Sequence, residues 1–263
     1  MKFLKALSSL VLSTSLLFSA QAVQADKLAD IKQSSVLRVA VPQDFPPFGS
    51  VGTDLQPQGY DIDMAKYLAK ELNVKLELIP VTSANRIPYL QTGKVDLVIS
   101  SMGKNPAREK VVDFSEAYAP FFLGVFGTAD EQVSSAEDLA GKTIGVTRGS
   151  VEDLELSKLA PKDTIIKRFE DNNSTLSAFL SGQVSLIATG NLVVTEIATR
   201  YPDKAPQTKF LLQNSPCYVG VMKGEQALLD SVNSLIKAAK QNDVLEGLSQ
   251  KWLKAPFPAD LKS

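Results

Sequence analysis

The chain has 263 residues, 44% of them hydrophobic, with 28 Lys and Arg against 29 Asp and Glu. A formal net charge of −1 with no basic stripe excludes a nucleic-acid partner. There is no histidine, which excludes Ser-His-Asp and Cys-His nucleophile systems and histidine metal sites, and the single cysteine, Cys217, cannot close an internal disulfide.

The first 25 residues read as a signal peptide and not as part of the fold. Lys2 and Lys5 form a basic start, Ala6 to Phe18 supply an apolar run, and both Ala20-Gln21-Ala22 and Val23-Gln24-Ala25 carry the small-residue pattern of a cleavage site. Cleavage after Ala25 is expected. The apolar run is shorter than the ~20 residues that span a bilayer, so no stable membrane insertion is expected. Removing the two lysines moves the net charge from −1 to −3. The mature chain is then a soluble exported protein, periplasmic in a double-membraned bacterium. It is long enough for one large domain or two lobes of about 100 residues.

Val36 to Val41 reads as a buried strand. Gly59 to Leu72 follows, with apolar Ile62, Met64, Ala65, Leu68, Ala69 and Leu72 at helical spacing, Asp61 as its expected N-cap and Asp63 in the first turn. Val74 to Leu78 alternates as a strand, a short helix over Asn85 to Gln91 ends at Gly93, and Val95 to Ile99 forms the next strand. The same grammar recurs with strands at Lys142 to Thr147, Thr164 to Phe169 and Val184 to Ala188, and helices at Val151 to Leu159 and Ser174 to Leu180. Strands separated by helices imply a mostly parallel sheet covered on both faces.

The stretch from Tyr89 to Val98 is echoed by Phe179 to Ile187. Any helix–glycine–strand unit produces such an echo; two similarly built α/β lobes also do. In the two-lobe arrangement residues 26–121 and 220–263 form the first lobe and 122–219 the second. Apolar segments near 119–127 and 216–222 are the crossing strands of a hinge. The C-terminal helices, from Glu225 to Gln241 and Val244 to Leu253, return to the first lobe.

Two lobes leave a cleft, and open α/β sheets bind ligands beyond the carboxyl ends of their strands. Past Ile99 lie Ser100, Ser101 and Gly103, then Asn105-Pro106 as a cap and first-turn pair that sets Arg108 in a short helix. A guanidinium beside free amides grips a carboxylate through paired hydrogen bonds. A solvated arginine on a polar loop fits the same residues. Arg86, after Asn85, follows another strand end and either enters the cleft or faces solvent. Trp252 reads as packing on the last helix.

The run 59-GYDIDMAKYLAKEL-72, with the export signal, Pro46-Pro47-Phe48, the Ser-Ser…Arg run and Val112-Asp113-Phe114-Ser115, resembles bacterial extracellular solute-binding proteins of the amino-acid-binding family 3, which feed ABC importers. The resemblance implies a type II periplasmic-binding-protein fold, two α/β lobes joined by a double-strand hinge and closing on a small-molecule ligand. It implies an inner-membrane ABC permease as partner and no cofactor. By position, Arg108 is similar to the arginine that binds the ligand's α-carboxylate, with Ser101 and Gly103 assisting. Phe45 is similar to the aromatic that packs over the ligand, and Gly149 and Ser150 to the second lobe's closing turn. The segment from Thr82 to Pro88 looks like the glutamate/aspartate-binding branch, which implies ligand contacts for Ser83 and Arg86 and an acidic or polar amino acid as ligand.

The sequence departs from the family at Gly190, flanked by Thr189 and Asn191, where the family usually places the aspartate that holds the ligand's ammonium. Glu152, Asp153 or Asp171 can substitute, Thr189 and carbonyl oxygens can accept instead, or the ligand is a dicarboxylate without an ammonium. A binder needs no chemistry. The rival is an enzyme on the same scaffold, such as a dehydratase of a cyclic dicarboxylate, with Glu152 or Asp171 as general acid. A ligand-sensing module is a further alternative.

Overall fold

The computed structural model describes residues 26–262, so the signal peptide and its cleavage site lie outside the described residues. Two five-stranded sheets carry the fold. The first is built from β1 (Val36–Pro42), β5 (Lys75–Val81), β6 (Leu97–Met102), β7 (Val112–Ala119) and β13 (Cys217–Met222), in the order β5-β1-β6-β13-β7. Its helices are α1 (Lys27–Ser34), α2 (Tyr60–Glu71), α3 (Arg86–Gln91), α4 (Pro106–Glu109), α8 (Gln226–Gln241) and α9 (Val244–Leu248). A small three-stranded sheet, β2 (Asp44–Phe45), β3 (Gly49–Val51) and β4 (Pro57–Gln58), sits on this lobe.

The second sheet has β8 (Phe122–Gly127), β9 (Thr143–Thr147), β10 (Ile165–Phe169), β11 (Leu186–Gly190) and β12 (Gln207–Asn214), in the order β10-β9-β11-β8-β12. Its helices are α5 (Val151–Leu159), α6 (Asn172–Leu180) and α7 (Asn191–Arg200). The two sheets share one plan. Three strands pair in parallel, the fourth runs opposite to both its neighbours, and the fifth again runs with the first three. The expected mostly parallel sheet is thus present in four strands of five, and the reversed member, β13 or β8, is the one that has just crossed from the other lobe.

The crossings are shorter than the sequence suggests. β8 pairs only within the second sheet and β13 only within the first, so the chain passes between lobes at residues 120–121 and 215–216. Residues 217–219, placed in the second lobe by the sequence reading, belong to the first, where Cys217 and Tyr218 pair with β7. Ser215 donates its backbone N–H to the Phe121 carbonyl at 3.1 Å, which ties the two crossings together.

Helical spacing sets the core. In α2 the expected face, Ile62, Met64, Ala65, Leu68 and Ala69, is buried, and in α8 Leu228, Val232, Ile236 and Ala239 are buried four or three residues apart. Burying such a side chain contributes about 1.5–3 kcal/mol. Beyond α9 the last turn, Ser249–Leu253, widens to a π-helix, and Trp252 donates its Nε1–H to Asp63 at 2.9 Å, docking the C-terminal segment on α2.

Asp61 is not the N-cap of α2. Gly59 occupies that position without a side-chain cap, and Asp61 is fully buried, accepting from the Ser101 N–H at 2.7 Å and the Tyr118 hydroxyl at 2.6 Å. An acid at this place ties a helix start to the end of β6. β6 itself runs to Met102 and not to Ile99, so Ser100 and Ser101 are strand residues.

Candidate functional site

The lobes meet around a narrow cavity of about 20 Å³. From the first lobe it is bordered by Phe45 on β2, by Ser83 and Arg86 in the turn after β5, and by Ser101 and Gly103 at the end of β6. The second lobe contributes Leu123 of β8, the start of α5 through Ser150, Val151 and Glu152, and Asn172 of α6. Phe121 and Ser215, one from each crossing, complete it. In this arrangement the space holds about one water, so a solute enters only when the lobes or the lining side chains part.

Each wall has a local cause. Ser150 is the N-cap of α5, its hydroxyl accepting the Asp153 N–H at 3.2 Å, which sets Val151 and Glu152 at the helix start facing the cleft. Ser101 adopts φ 38°, in the left-handed region, and Asp61 holds its amide there. Phe45, Phe48 and Phe121 form an aromatic cluster, with Phe121 edge-on to Phe45 at 5.9 Å and to Phe48 at 5.2 Å between ring centroids.

The closed arrangement is held by bonds between the lobes. Asp44 accepts from the N–H and the side-chain amide of Asn172, and Gln213 donates to the Lys104 carbonyl at 3.2 Å. Arg108, buried, donates to the Gly103 carbonyl at 2.9 Å and across the cleft to the Gly149 carbonyl at 3.0 Å. The approach is close: a β-carbon on Gly149 would lie 3.1 Å from the Ala84 α-carbon, tighter than packed atoms accept.

Among the residues expected from sequence, Phe45, Ser83, Arg86, Ser101, Gly103 and Ser150 are brought together at the cavity. Arg108 and Gly149 stand just outside it, bordering an adjoining recess with Ser83 and Ala84. The expected cap at Asn105 is present, accepting the Arg108 N–H at 2.9 Å. Asp113, from the Val112-Asp113-Phe114-Ser115 run, bonds Lys223 and the Gly224 N–H. Thr189, Gly190 and Asn191 do not border the cavity: the Phe121 ring occupies the point where a β-carbon on residue 190 would sit, and the Asn191 side chain accepts the Phe122 N–H at 3.1 Å.

Phe121, Leu123, Val151, Asn172 and Ser215 are the bordering residues that the sequence did not single out. Phe121, Leu123 and Ser215 carried the one available signal, since they lie in or beside the apolar segments read as crossings. Of the three acids offered as substitutes at position 190, only Glu152 borders the cavity. Asp153 bonds the Gly149 N–H and Arg168, and Asp171 caps α6 through the Ser174 N–H.

The electrostatics mark one end of the cavity as an anion seat. Arg86 is buried, its Nε has no hydrogen-bond partner, and burial pushes its guanidinium down despite the pull of Glu152, Asp61 and Asp44. Burial and the like charge of Arg86 push Arg108 down to about 10. Two buried guanidinium groups that disfavour one another are both relieved by an anion between them. The Ser101 and Ser215 hydroxyls are likewise buried and unpartnered. Among the described residues no group of His, Cys, Asp and Glu is arranged to hold a metal ion, and no helix is long and apolar enough to cross a membrane.

The chain is similar to proteins named for binding amino acids. It is 28% identical over 234 residues, 87% of this chain and 85% of the relative, to the ABC transporter glutamine-binding protein GlnH of Bacillus subtilis (strain 168). It is 25% identical over 230 residues, 87% of this chain and 86% of the relative, to the L-cystine-binding protein TcyJ of Escherichia coli (strain K12). The fold matches the crystal structure of a cysteine-binding protein from Campylobacter jejuni with a TM-score of 0.82 and 30% identity, covering 89% of this chain and 96% of that one. The profile of one family extends over residues 37–255, from β1 to the end of the C-terminal helices, and by that match the chain belongs to the bacterial extracellular solute-binding proteins, family 3.

Proposed function

We propose that this protein captures a polar α-amino acid by lobe closure and delivers it to an ABC permease in the membrane, acting in the periplasm or at the outer face of the cell and releasing the ligand unchanged. The observation that carries the reading is the buried Arg86 at a small cavity between the lobes, its Nε without a partner, with Arg108 bordering the adjoining recess. An arginine left with an unmet donor in a dry site is costly unless an anion completes it. Here the matching anion is the ligand's α-carboxylate. Ser83, Ser101, Gly103 and Ser150 supply hydroxyls and amides beside it, and Phe45 packs over the ligand's carbon chain. Relatives named for glutamine, cystine and cysteine support an amino acid as the solute class.

Glutamate and aspartate are the second reading. They are favoured by the excess of positive charge at this end, Arg86 and Arg108 against Glu152. Titration calorimetry with the twenty amino acids, succinate and 2-oxoglutarate tests both. Micromolar binding of one amino acid, about −8 kcal/mol, is the expected result. Binding of the dicarboxylates alone replaces the amino-acid reading, and the strongest amino-acid ligand decides between neutral polar and acidic side chains.

A further inference from the structure

An α-amino acid brings an ammonium group as well as a carboxylate, and a buried ammonium has three donors to satisfy. Position 190 cannot serve it, because glycine carries no acceptor and the Phe121 ring fills the space a longer side chain would need. The other acids near the cleft are committed elsewhere. Asp44 receives Asn172, Asp61 receives Ser101 and Tyr118, and Asp153 receives Gly149 and Arg168. Glu152 differs in position: it alone of these acids borders the cavity. It is 6% exposed, its carboxylate accepts from its own N–H and the Ser150 hydroxyl, and it takes part in none of the ion pairs found among the described residues.

We propose that Glu152, presented by the start of α5 on the second lobe, is the counter-charge for the ligand's ammonium group and makes that group a requirement for tight binding. The assignment rests on the amino-acid reading above and deepens it. The carboxylate meets Arg86 on the first lobe, the ammonium meets Glu152 on the second, and a zwitterion thereby bridges the two walls. The unpartnered hydroxyl oxygens of Ser101 and Ser215 are available as the other two acceptors. Burial pushes the Glu152 carboxyl up, against the pull of its own N–H, Ser150, Arg86 and Arg108, so an added cation beside it favours the charged form. A ligand with no ammonium adds no cation beside this buried acid, and a second carboxylate there repels it, which discriminates against dicarboxylates of the same size.

The test uses the mature protein and three matched pairs: L-glutamine with glutaramate, L-glutamate with glutarate, and L-cysteine with 3-mercaptopropanoate. In the wild type the best-bound amino acid is expected to exceed its analogue without the amino group by at least about tenfold, the loss of one charge-assisted bond. Glu152→Gln is expected to shrink that ratio below about threefold, and Glu152→Asp to keep part of it. Circular dichroism and a thermal melt establish that each variant is folded, and the ratio is a readout that a merely structural role does not move. A folded Glu152→Gln protein that keeps the wild-type ratio overturns the assignment while the amino-acid reading stands. A wild type that binds an analogue as tightly as its amino acid overturns the assignment and leaves a carboxylate binder. A wild type that binds none of the twenty amino acids and none of these analogues overturns both.

Discussion

Asp44 on the first lobe receives the backbone N–H of Asn172 on the second at 2.7 Å and its side-chain amide at 3.1 Å, so a carboxylate beside the ligand cavity fastens the closed form without touching the ligand's place. Hydrogen bonds to a charged group contribute about 1.5–3 kcal/mol. Asp44→Ala is therefore expected to favour the open form and to weaken binding of the best ligand by roughly tenfold or more. Small-angle scattering of the unliganded variant should show a larger radius of gyration than the wild type. Unchanged scattering and affinity together would remove the latch from the account.

The two arginines should separate binding from stability. Arg86→Met removes a buried charge with an unmet donor, and the unliganded protein is expected to be as stable as the wild type or more so, while affinity falls at least roughly tenfold. Arg108→Ala also weakens binding at least about tenfold, but leaves the Gly103 and Gly149 carbonyls unpaired and costs about 1–3 kcal/mol of folding stability. Urea melts beside calorimetry resolve the difference, and a destabilised Arg86→Met would show that this guanidinium is structural.

Stability should depend on pH through Asp61. Burial pushes its carboxyl up to about 7, against the Tyr118 hydroxyl, the Ser101 N–H and the charge of Arg86. The folded-state value lies above the ordinary 3.8, so the native state holds the extra proton between those limits. Stability from this group is then greatest on the acid side and is lost as pH rises through about 7, by on the order of 4 kcal/mol at most. Asp61→Asn lacks this dependence. Relative to that variant the wild type should gain stability between pH 8 and pH 5, and parallel denaturant curves for the two proteins would contradict the argument.

Gly190 and Phe121 should behave as one unit. Gly190→Ala drives a β-carbon into the Phe121 ring and is expected to cost about 1–3 kcal/mol. Phe121→Leu in the same chain should recover part of that loss, and a double-mutant cycle measures the coupling. Additive effects would mean that the ring is free to move aside.

Local signals made most of the fold legible. The faces of α2 and α8 are apolar at helical spacing and are the faces the protein buries. The echo between Tyr89–Val98 and Phe179–Ile187 corresponds to α3 and α6 leading through Gly93 and Gly182 to β6 and β11, the third strands of the two sheets. The strands of the small sheet are two or three residues long, too short for any period to show. β12, with partly exposed residues along its length, offers no sustained apolar run. At the site, the cap at Asn105 and the turn at Ser150 were local and readable, whereas the burial of Asp61 and the filling of position 190 depend on tertiary neighbours. Arg108 illustrates the boundary: spacing set it in a short helix, but only packing shows that its donors meet carbonyls from both lobes.

The two crossings that join the lobes also wall the cavity through Phe121 and Ser215. On the proposed lobe closure, the pivot is also part of the surface that selects the solute. A substitution at either residue is then expected to change solute preference and opening rate together.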